Sequence, residues 1–343
     1  MKLSDLGEFG LIARLARETP AGERVICGIG DDCAVIESGR PELSLLLTTD
    51  LLVEGVHFDR RTISARLLGR KTLSASLSDV AAMGGVPRVF TVNLAAPADL
   101  EVDWVEALYA GMEERAGEAG VGLVGGDTSS SPGAIFLSVT LLGECPAAEV
   151  VLRRGARPGD AIFLTGWPGE SAAGFALLGA RAAGREVPGP VSPEETAQRE
   201  HLEARHLDPD ARLSAGRRLA AGRHATAMID VSDGVAADLG HLLESSGVSA
   251  RLEAAAVSLS PALRAAARAL GLDPLHLALS GGEDYELLFT GAPSPGAAEL
   301  SRLLELPVTR IGTITPGPRP LEIVDPGGRP ISLPRGGFEH FRS

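Results

Sequence analysis

Five short stretches set aspartate beside glycine, serine or threonine: GIGDD (Asp31, Asp32), LLLTTD (Asp50), SLSD (Asp79), VGGD (Asp127) and MIDVSDG (Asp230, Asp233). Each follows an apolar run or sits on a small-residue helix, where a ligand can approach backbone. Carboxylate oxygens are hard ligands and suit magnesium, which is shared between one or two carboxylates and substrate phosphates. Taken singly, an aspartate before glycine caps a helix or forms a turn. The set asks for more, because Asp50 closes an otherwise apolar strand and Asp230 enters another, and buried carboxylates cannot be gathered without compensating cations. Lysines are scarce, being only Lys2 and Lys71. The pattern therefore predicts metal ions that reverse the field of an acidic cluster and admit an anionic phosphate.

Standard nucleotide signatures are missing. There is no GxxxxGK[ST], Lys71 stands in GRKT without a glycine loop, and no GxGxxG opens a helix. Neither GxSxG nor HExxH occurs, which removes the serine-hydrolase and zincin readings. By spacing alone His57, in EGVHF, is a histidine satisfied at a strand end.

The elements that must position these residues alternate along the chain. An apolar run at 45–47 reads as a strand, 64–82 and 104–119 as helices, and 121–124 and 135–141 as strands. Leu108 and Met112 share a helix face and Gly120 is a C-terminal cap. The pattern stops near 143–148, where we expect a boundary between domains 1–148 and 149–343. Beyond it, 161–164 reads as a strand, 171–183 as a helix, 188–209 as a proline-rich charged connection, and 227–229 as a strand running into a helix that ends near Gly247. Strands also fit 285–290 and 308–314. The expected class is α/β (α+β).

At 343 residues, the length favours two domains, and 44% hydrophobic against 22% charged residues describes a globular chain. The most apolar stretch is far short of a spanning helix and the first residues lack a signal pattern, so no membrane is expected. Three cysteines, Cys27, Cys33 and Cys145, form no CxxC pair, which makes a cytoplasmic location the default. A net charge of −13 argues against nucleic acid as a partner.

Longer motifs are more specific. GEFGLI, GIGDDCAVI, LLLTTDLLVEGVHF, SLSDVAAMGG, VGGDTS, TGWPGESAAGFALL, MIDVSDGVAADLGHLL and SGGEDYELLFT run in one order from Gly7 to the GGFEHF tail. In this the chain resembles the thiamine-monophosphate kinases, whose superfamily includes aminoimidazole ribonucleotide synthetase, selenophosphate synthetase and a hydrogenase maturation factor. The resemblance implies a two-domain aminoimidazole ribonucleotide synthetase-like fold. Its N-terminal domain would form a dimeric β-barrel with a second subunit, and a C-terminal α/β domain would complete an ATP site between the two. The implied reaction converts ATP and thiamine monophosphate to ADP and thiamine diphosphate. By motif, several magnesium ions fall to Asp32, Thr48, Thr49, Asp50, Asp79, Asp127, Asp230 and Asp233, with Asp31 an open alternative to Asp32. ATP falls to Tyr109, Gly126, Asp127, Arg153 and Ser232, and thiamine monophosphate to His57, Glu283 and Phe338.

The acceptor oxygen of such a reaction is already anionic. In-line transfer of the γ-phosphoryl group through shared magnesium then needs neither a general base nor a covalent intermediate, and no catalytic side chain is assigned. Within the superfamily, the hydrogenase factor ends in a reactive cysteine, whereas this chain ends HFRS. Selenophosphate synthetase pairs a reactive cysteine with a lysine, and neither Cys27 nor Cys33 has one nearby. Aminoimidazole ribonucleotide synthetase remains the enzymatic alternative, with SGGEDYELLFT and EGVHF favouring the kinase. A silent metal and nucleotide sensor would have lost several of the aspartates.

Overall fold

The computed structural model describes residues 2–20, 22–185, 187, 189, 192–317, 321–333, 337, 340 and 341. The first half runs α1 (Leu3–Glu18), β1 (Val25–Cys27), β2 (Ala34–Glu37), β3 (Leu43–Val53), α2 (Ala65–Ala82), β4 (Val86–Ala96), α3 (Val102–Ala119), β5 (Gly122–Ser130) and β6 (Phe136–Pro146). The second runs β7 (Ala161–Thr165), α4 (Glu170–Ala182), α5 (Pro193–Leu207), α6 (Leu213–Ala221), β8 (Ala227–Asp230), α7 (Val235–Ser246) and β9 (Ser249–Glu253). It closes with α8 (Pro261–Leu270), α9 (Pro274–Ser280), β10 (Leu287–Gly291), α10 (Ala297–Leu304), β11 (Val308–Thr315) and β12 (Glu322–Val324).

Two six-stranded sheets result, ordered β1-β2-β3-β6-β4-β5 and β12-β9-β11-β7-β10-β8. Among the described strands, β4/β5 and β12/β9 pair in parallel and the other neighbours antiparallel. The central strand β3 is longer than its apolar run implied and carries Asp50 within its pairing to β6. Its side chains alternate as a pleat demands. Leu46, Thr48 and Leu52 are buried towards α2, while Leu47, Thr49 and Leu51 face outward.

Helix α2 is surrounded. It touches α3, β3 and β6 on its own side and α6 and β8 of the second half. Contact on so many sides explains its run of serine, threonine and alanine. A Cβ on Gly69 would stand 2.0 Å from the Leu108 carbonyl oxygen, and one on Gly111 1.9 Å from that of Arg66, so α2 and α3 meet backbone to backbone. Ser64 caps α2 by accepting from the Leu67 amide, and Gly120 ends α3 at φ 66°.

Three sequence expectations need correction. The stretch 188–209 is not merely a connection, because α5 occupies most of it. Ser192 caps that helix, Pro193 opens it, Glu194 and Glu195 lie in its first turn and Arg205 and His206 in its last, as a helix dipole favours. The strand expected from Tyr285 begins at Leu287, since Tyr285 sits at φ 50°, where no strand continues. The strand expected at 121–124 extends to Ser130 as a mostly exposed edge. The barrel expected with a second subunit is not closed by the described residues of one chain alone. The first sheet is open and presents Leu47, Leu51, Val124 and Phe136 as exposed large apolar side chains. No helix among the described residues is long and apolar enough to cross a membrane.

Candidate active site

The seam between the two halves gathers carboxylates. Strand alternation turns Thr48 and Asp50 of β3 towards α2, where Thr48 Oγ1 donates to Asp79 Oδ2 and Ser76 Oγ donates to Asp50 Oδ2. Ser78 reaches the other way, donating at 2.7 Å to Asp230 Oδ2 at the end of β8. Asp32, in the loop between β1 and β2, accepts at Oδ1 from Arg153 Nε at 3.1 Å and Nη2 at 2.6 Å. Ligand oxygens of Asp32, Asp79 and Asp230 come within 4.8 Å of one another.

This cluster is short of positive charge. Burial pushes the Asp230 carboxyl up to about 7, and the charge of Asp32 adds to it. Asp79 is driven well above the usual range by burial, then by Asp50, Asp230 and Asp32. Burial also raises Asp32, against the pull of Arg153, and raises Asp50, against its hydrogen bond from Ser76. Asp31, which accepts from the Arg153 amide at 3.2 Å, is raised to about 6 by burial and by Asp32. Asp32 Oδ2 is buried with no hydrogen-bond partner. An orphaned carboxylate oxygen among crowded hard donors fits a divalent cation of the magnesium type.

Two turns before Ser78 on α2, Lys71 reaches a cavity of about 500 Å³, lined also by His57, Phe175 and His206 with apolar neighbours that include Val56 and Ile63. His57 Nδ1 accepts from the Val53 amide at 3.0 Å, which leaves the ring proton on Nε2, 3.3 Å from His340 Nε2. Burial and then His340 lower its pKa, so the ring is neutral near pH 7. Glu283 accepts from Lys71 Nζ at 3.1 Å. Burial alone would raise its pKa, but the Lys71 ammonium bonded to it outweighs burial and the carboxyl stays ionised. The GGEDYE segment that carries it is strained, with Glu283 at φ 62° and Tyr285 at φ 50°. It is held by its own hydrogen bonds. The Glu283 amide donates to the Ser232 carbonyl at 2.7 Å, and Asp284 accepts from the amides of Gly169 and Ser171 at 2.6 and 3.1 Å. Glu286 accepts from Thr165, Arg205 and Arg212.

The remaining sequence candidates lie at varied distance from this centre. The Thr49 hydroxyl is on the outer face of β3, bonded to the Val139 carbonyl at 3.1 Å, so its side chain does not join the cluster. Gly126 and Asp127 lie on β5 opposite Val92 and Asn93, and Asp127 accepts from the Thr128 amide. A Cβ at Gly126 would stand 1.8 Å from the Val92 carbonyl oxygen. Tyr109 packs on α3 against the first core. Ser232 and Asp233 lie in the loop before α7, where the Asp233 amide donates to Asp238 at 3.2 Å. Phe338 lies outside the described residues. Sequence reasoning missed Ser76, Ser78, Lys71 and His206 as site neighbours. The i, i+7 spacing of Lys71 and Ser78 on a helix otherwise built of small and apolar residues was the available signal.

Residues 30–145 match the family described as AIR synthase related protein, N-terminal domain, and residues 157–325 match its C-terminal domain. The thiamine-monophosphate kinase of Mycobacterium tuberculosis (strain H37Rv) is 39% identical over 308 residues, which cover 89% of this chain and 87% of that protein. That of Escherichia coli (strain K12) is 36% identical over 341 residues, covering 98% of each. A solved structure described as AaThiL complexed with AMPPCP and TMP superposes with a TM-score of 0.84 at 36% identity and covers 99% of both chains. A hydrogenase maturation protein HypE with ATP, at 22% identity and a TM-score of 0.66, shares the fold. Full-length likeness at this level, on a shared two-domain frame, places the chain in the thiamine-monophosphate kinase family of AIR synthase-related proteins.

Proposed function

We propose that this chain transfers the γ-phosphoryl group of ATP to the phosphate of thiamine monophosphate, giving ADP and thiamine diphosphate. The observation that carries the reading is the Asp32–Asp79–Asp230 group with its orphaned oxygen, together with a cavity lined by His57 and by Lys71, which bonds Glu283. A relative holding AMPPCP, an ATP analogue, together with TMP supports the same assignment. Asp32, Asp50, Asp79 and Asp230, with the Thr48 hydroxyl, would hold magnesium, joined by Asp127, Asp233 and, through its backbone, Thr49. When bound, magnesium supplies the charge that offsets repulsion between two phosphates and orients them for in-line displacement.

The chain's own residues do the rest. Arg153 neutralises part of the charge on Asp32 and stands ready for the nucleotide phosphates with its remaining N–H groups, while Gly126 lets backbone approach the nucleotide beside Tyr109 and Ser232. His57, neutral with its proton on Nε2, can donate to the acceptor phosphate. Glu283 and Phe338 complete the organic end of the acceptor site. No side chain removes a proton, because the acceptor oxygen is already anionic at neutral pH.

We place the domain boundary at 148/149 and assign the chain to the cytoplasm. We also propose a homodimer in which the exposed apolar face of the first sheet, with Leu51 54% exposed, packs on a second copy and completes a barrel. The test of function is conversion of thiamine monophosphate to the diphosphate with ATP, with and without magnesium, using free thiamine as control. Turnover without magnesium, or equal use of free thiamine, overturns the reading. Sedimentation of a monomer at micromolar concentration overturns the dimer.

A further inference from the structure

A buried lysine needs a reason, because its ammonium gives up hydration that only paired charge and hydrogen bonds replace. Lys71 is 1% exposed. Glu283 Oε2 accepts from its Nζ at 3.1 Å, and His206 Nε2 lies 3.4 Å away. The His206 ring is neutral, its pKa lowered to about 4 by burial and then by Lys71. With Nε2 facing the ammonium, its proton sits on Nδ1, 3.1 Å from Ser171 Oγ. Two of the three Lys71 donors are thus engaged, and the residue lines the cavity. Glu283 Oε1 has no partner among the described residues. Lys71 at the cavity wall and the partly exposed Glu283 carboxylate bonded to it therefore set a donor beside an acceptor.

Their position says which end of an acceptor they meet. Lys71 and Ser78 are seven residues apart on α2, so they share a face and are separated by roughly 10 Å along the axis. Ser78 bonds Asp230 in the carboxylate cluster. An acceptor whose phosphate lies at the carboxylates would extend its organic end to Lys71. The cavity wall there suits a flat ring: Val56, Phe58 and Leu178 are apolar, and Phe175 is 62% exposed with its ring 5.2 Å from that of His206.

The 4-aminopyrimidine of thiamine carries a ring-nitrogen acceptor next to an amino donor, the complement of this pair. We propose that Lys71 is a specificity-determining residue that donates to a pyrimidine ring nitrogen while Glu283 accepts from the amino group and Phe175 covers the ring face. His206 is a positioning residue that holds the ammonium. The inference rests on the acceptor reading above.

The test compares thiamine monophosphate with its 4′-oxo analogue, in which the donor and acceptor of that edge are exchanged. The wild-type enzyme should use the analogue with kcat/KM lower by about 10- to 100-fold, the discrimination expected of one two-point contact. Lys71→Met should lower kcat/KM for thiamine monophosphate by a similar factor through KM, leave the KM for ATP unchanged, and shrink the discrimination to about threefold or less. Should Lys71→Met fail to fold, the wild-type comparison and Phe175→Ala, a change at an exposed side chain, decide the matter. That variant should raise the acceptor KM about fivefold or more and spare that of ATP. Equal use of both acceptors by the wild type, or an unchanged acceptor KM in Phe175→Ala, overturns the proposal and leaves the phosphotransfer reading standing. Absence of turnover with thiamine monophosphate in the wild type overturns both.

Discussion

Replacing Asp230 by asparagine separates what the carboxylate does for metal from what it costs the fold. In the folded chain its pKa is pushed up to about 7, by burial first and by the charge of Asp32 second. The value in an unfolded chain is roughly 3.9. Between the two, the folded state retains a proton that the unfolded state has released, so stability falls as pH rises through that window. Across the whole window the loss amounts to about 4 kcal/mol, reached above pH 7. Asparagine keeps the volume and an acceptor for Ser78, whose hydroxyl bonds Oδ2 at 2.7 Å. It remains a buried amide and returns roughly 1–3 kcal/mol of that gain as lost hydration. Metal-free Asp230→Asn should therefore be more stable than wild type at pH 8 by about 1–3 kcal/mol, a rise of several degrees in Tm, and the advantage should shrink towards pH 4. Magnesium should stabilise the wild type more than the variant, and magnesium-dependent turnover should fall about 100-fold or more. Scanning calorimetry in chelator and in magnesium, at both pH values, checks the sign. A variant less stable than wild type at pH 8 in chelator, or one with near-normal turnover, would refute the reasoning.

His57→Ala should chiefly raise the acceptor KM, by about tenfold for a lost hydrogen bond to a phosphate; steady-state kinetics with varied thiamine monophosphate checks this, and an unchanged KM contradicts it. Phe338→Ala should raise the same KM by roughly three- to thirtyfold if its ring faces the thiazolium cation, whereas a lowered Tm with both KM values intact would mean that the residue only pins the chain end. His206 contributes a pH dependence of opposite sign to that of Asp230. Its folded pKa, lowered to about 4 by burial and Lys71, lies below the unfolded value near 6.5, so the unfolded state takes up a proton first as pH falls and stability drops from pH 6.5 to pH 4. His206→Asn should flatten that limb by about 3 kcal/mol relative to wild type, measured by urea unfolding across the window; parallel limbs would show that the ring is not held neutral.

What could be read in the sequence follows from what is local. The aspartates of GIGDD, SLSD and MIDVSDG announce themselves because a carboxylate next to small residues and an apolar strand has few cheap structural uses, and three of them do converge. Helices α2 and α3 were legible from their period and from Gly120. Helix α5 reads as a charged connection because it is polar along most of its length and shows little apolar period, although Ser192 and Pro193 form a helix start. The outward turn of Thr49 follows from strand alternation, yet the motif that named it does not distinguish a backbone from a side-chain contact. His206 and Glu283 lie 135 and 212 positions from Lys71 along the chain, and no spacing rule connects them.

Both halves of the chain supply the site, and α2 is why they can. On one side its Ser76 and Asp79 meet β3; on the other, Ser78 meets Asp230, Lys71 meets Glu283, and Arg70 pairs with Asp208 at 2.8 Å. Arg115 of α3 reaches the same Asp208 at 2.6 Å. Carboxylates that repel one another would push the halves apart if nothing else crossed the seam, since like charges a few ångströms apart in a poorly hydrated interface raise its energy. The ion pairs at Arg70 and Arg115 and the Arg153–Asp32 contact cross it with attractive sign. They hold the acidic oxygens together before any metal arrives, so that cation binding meets a formed site and its free energy is not spent on closing the two halves.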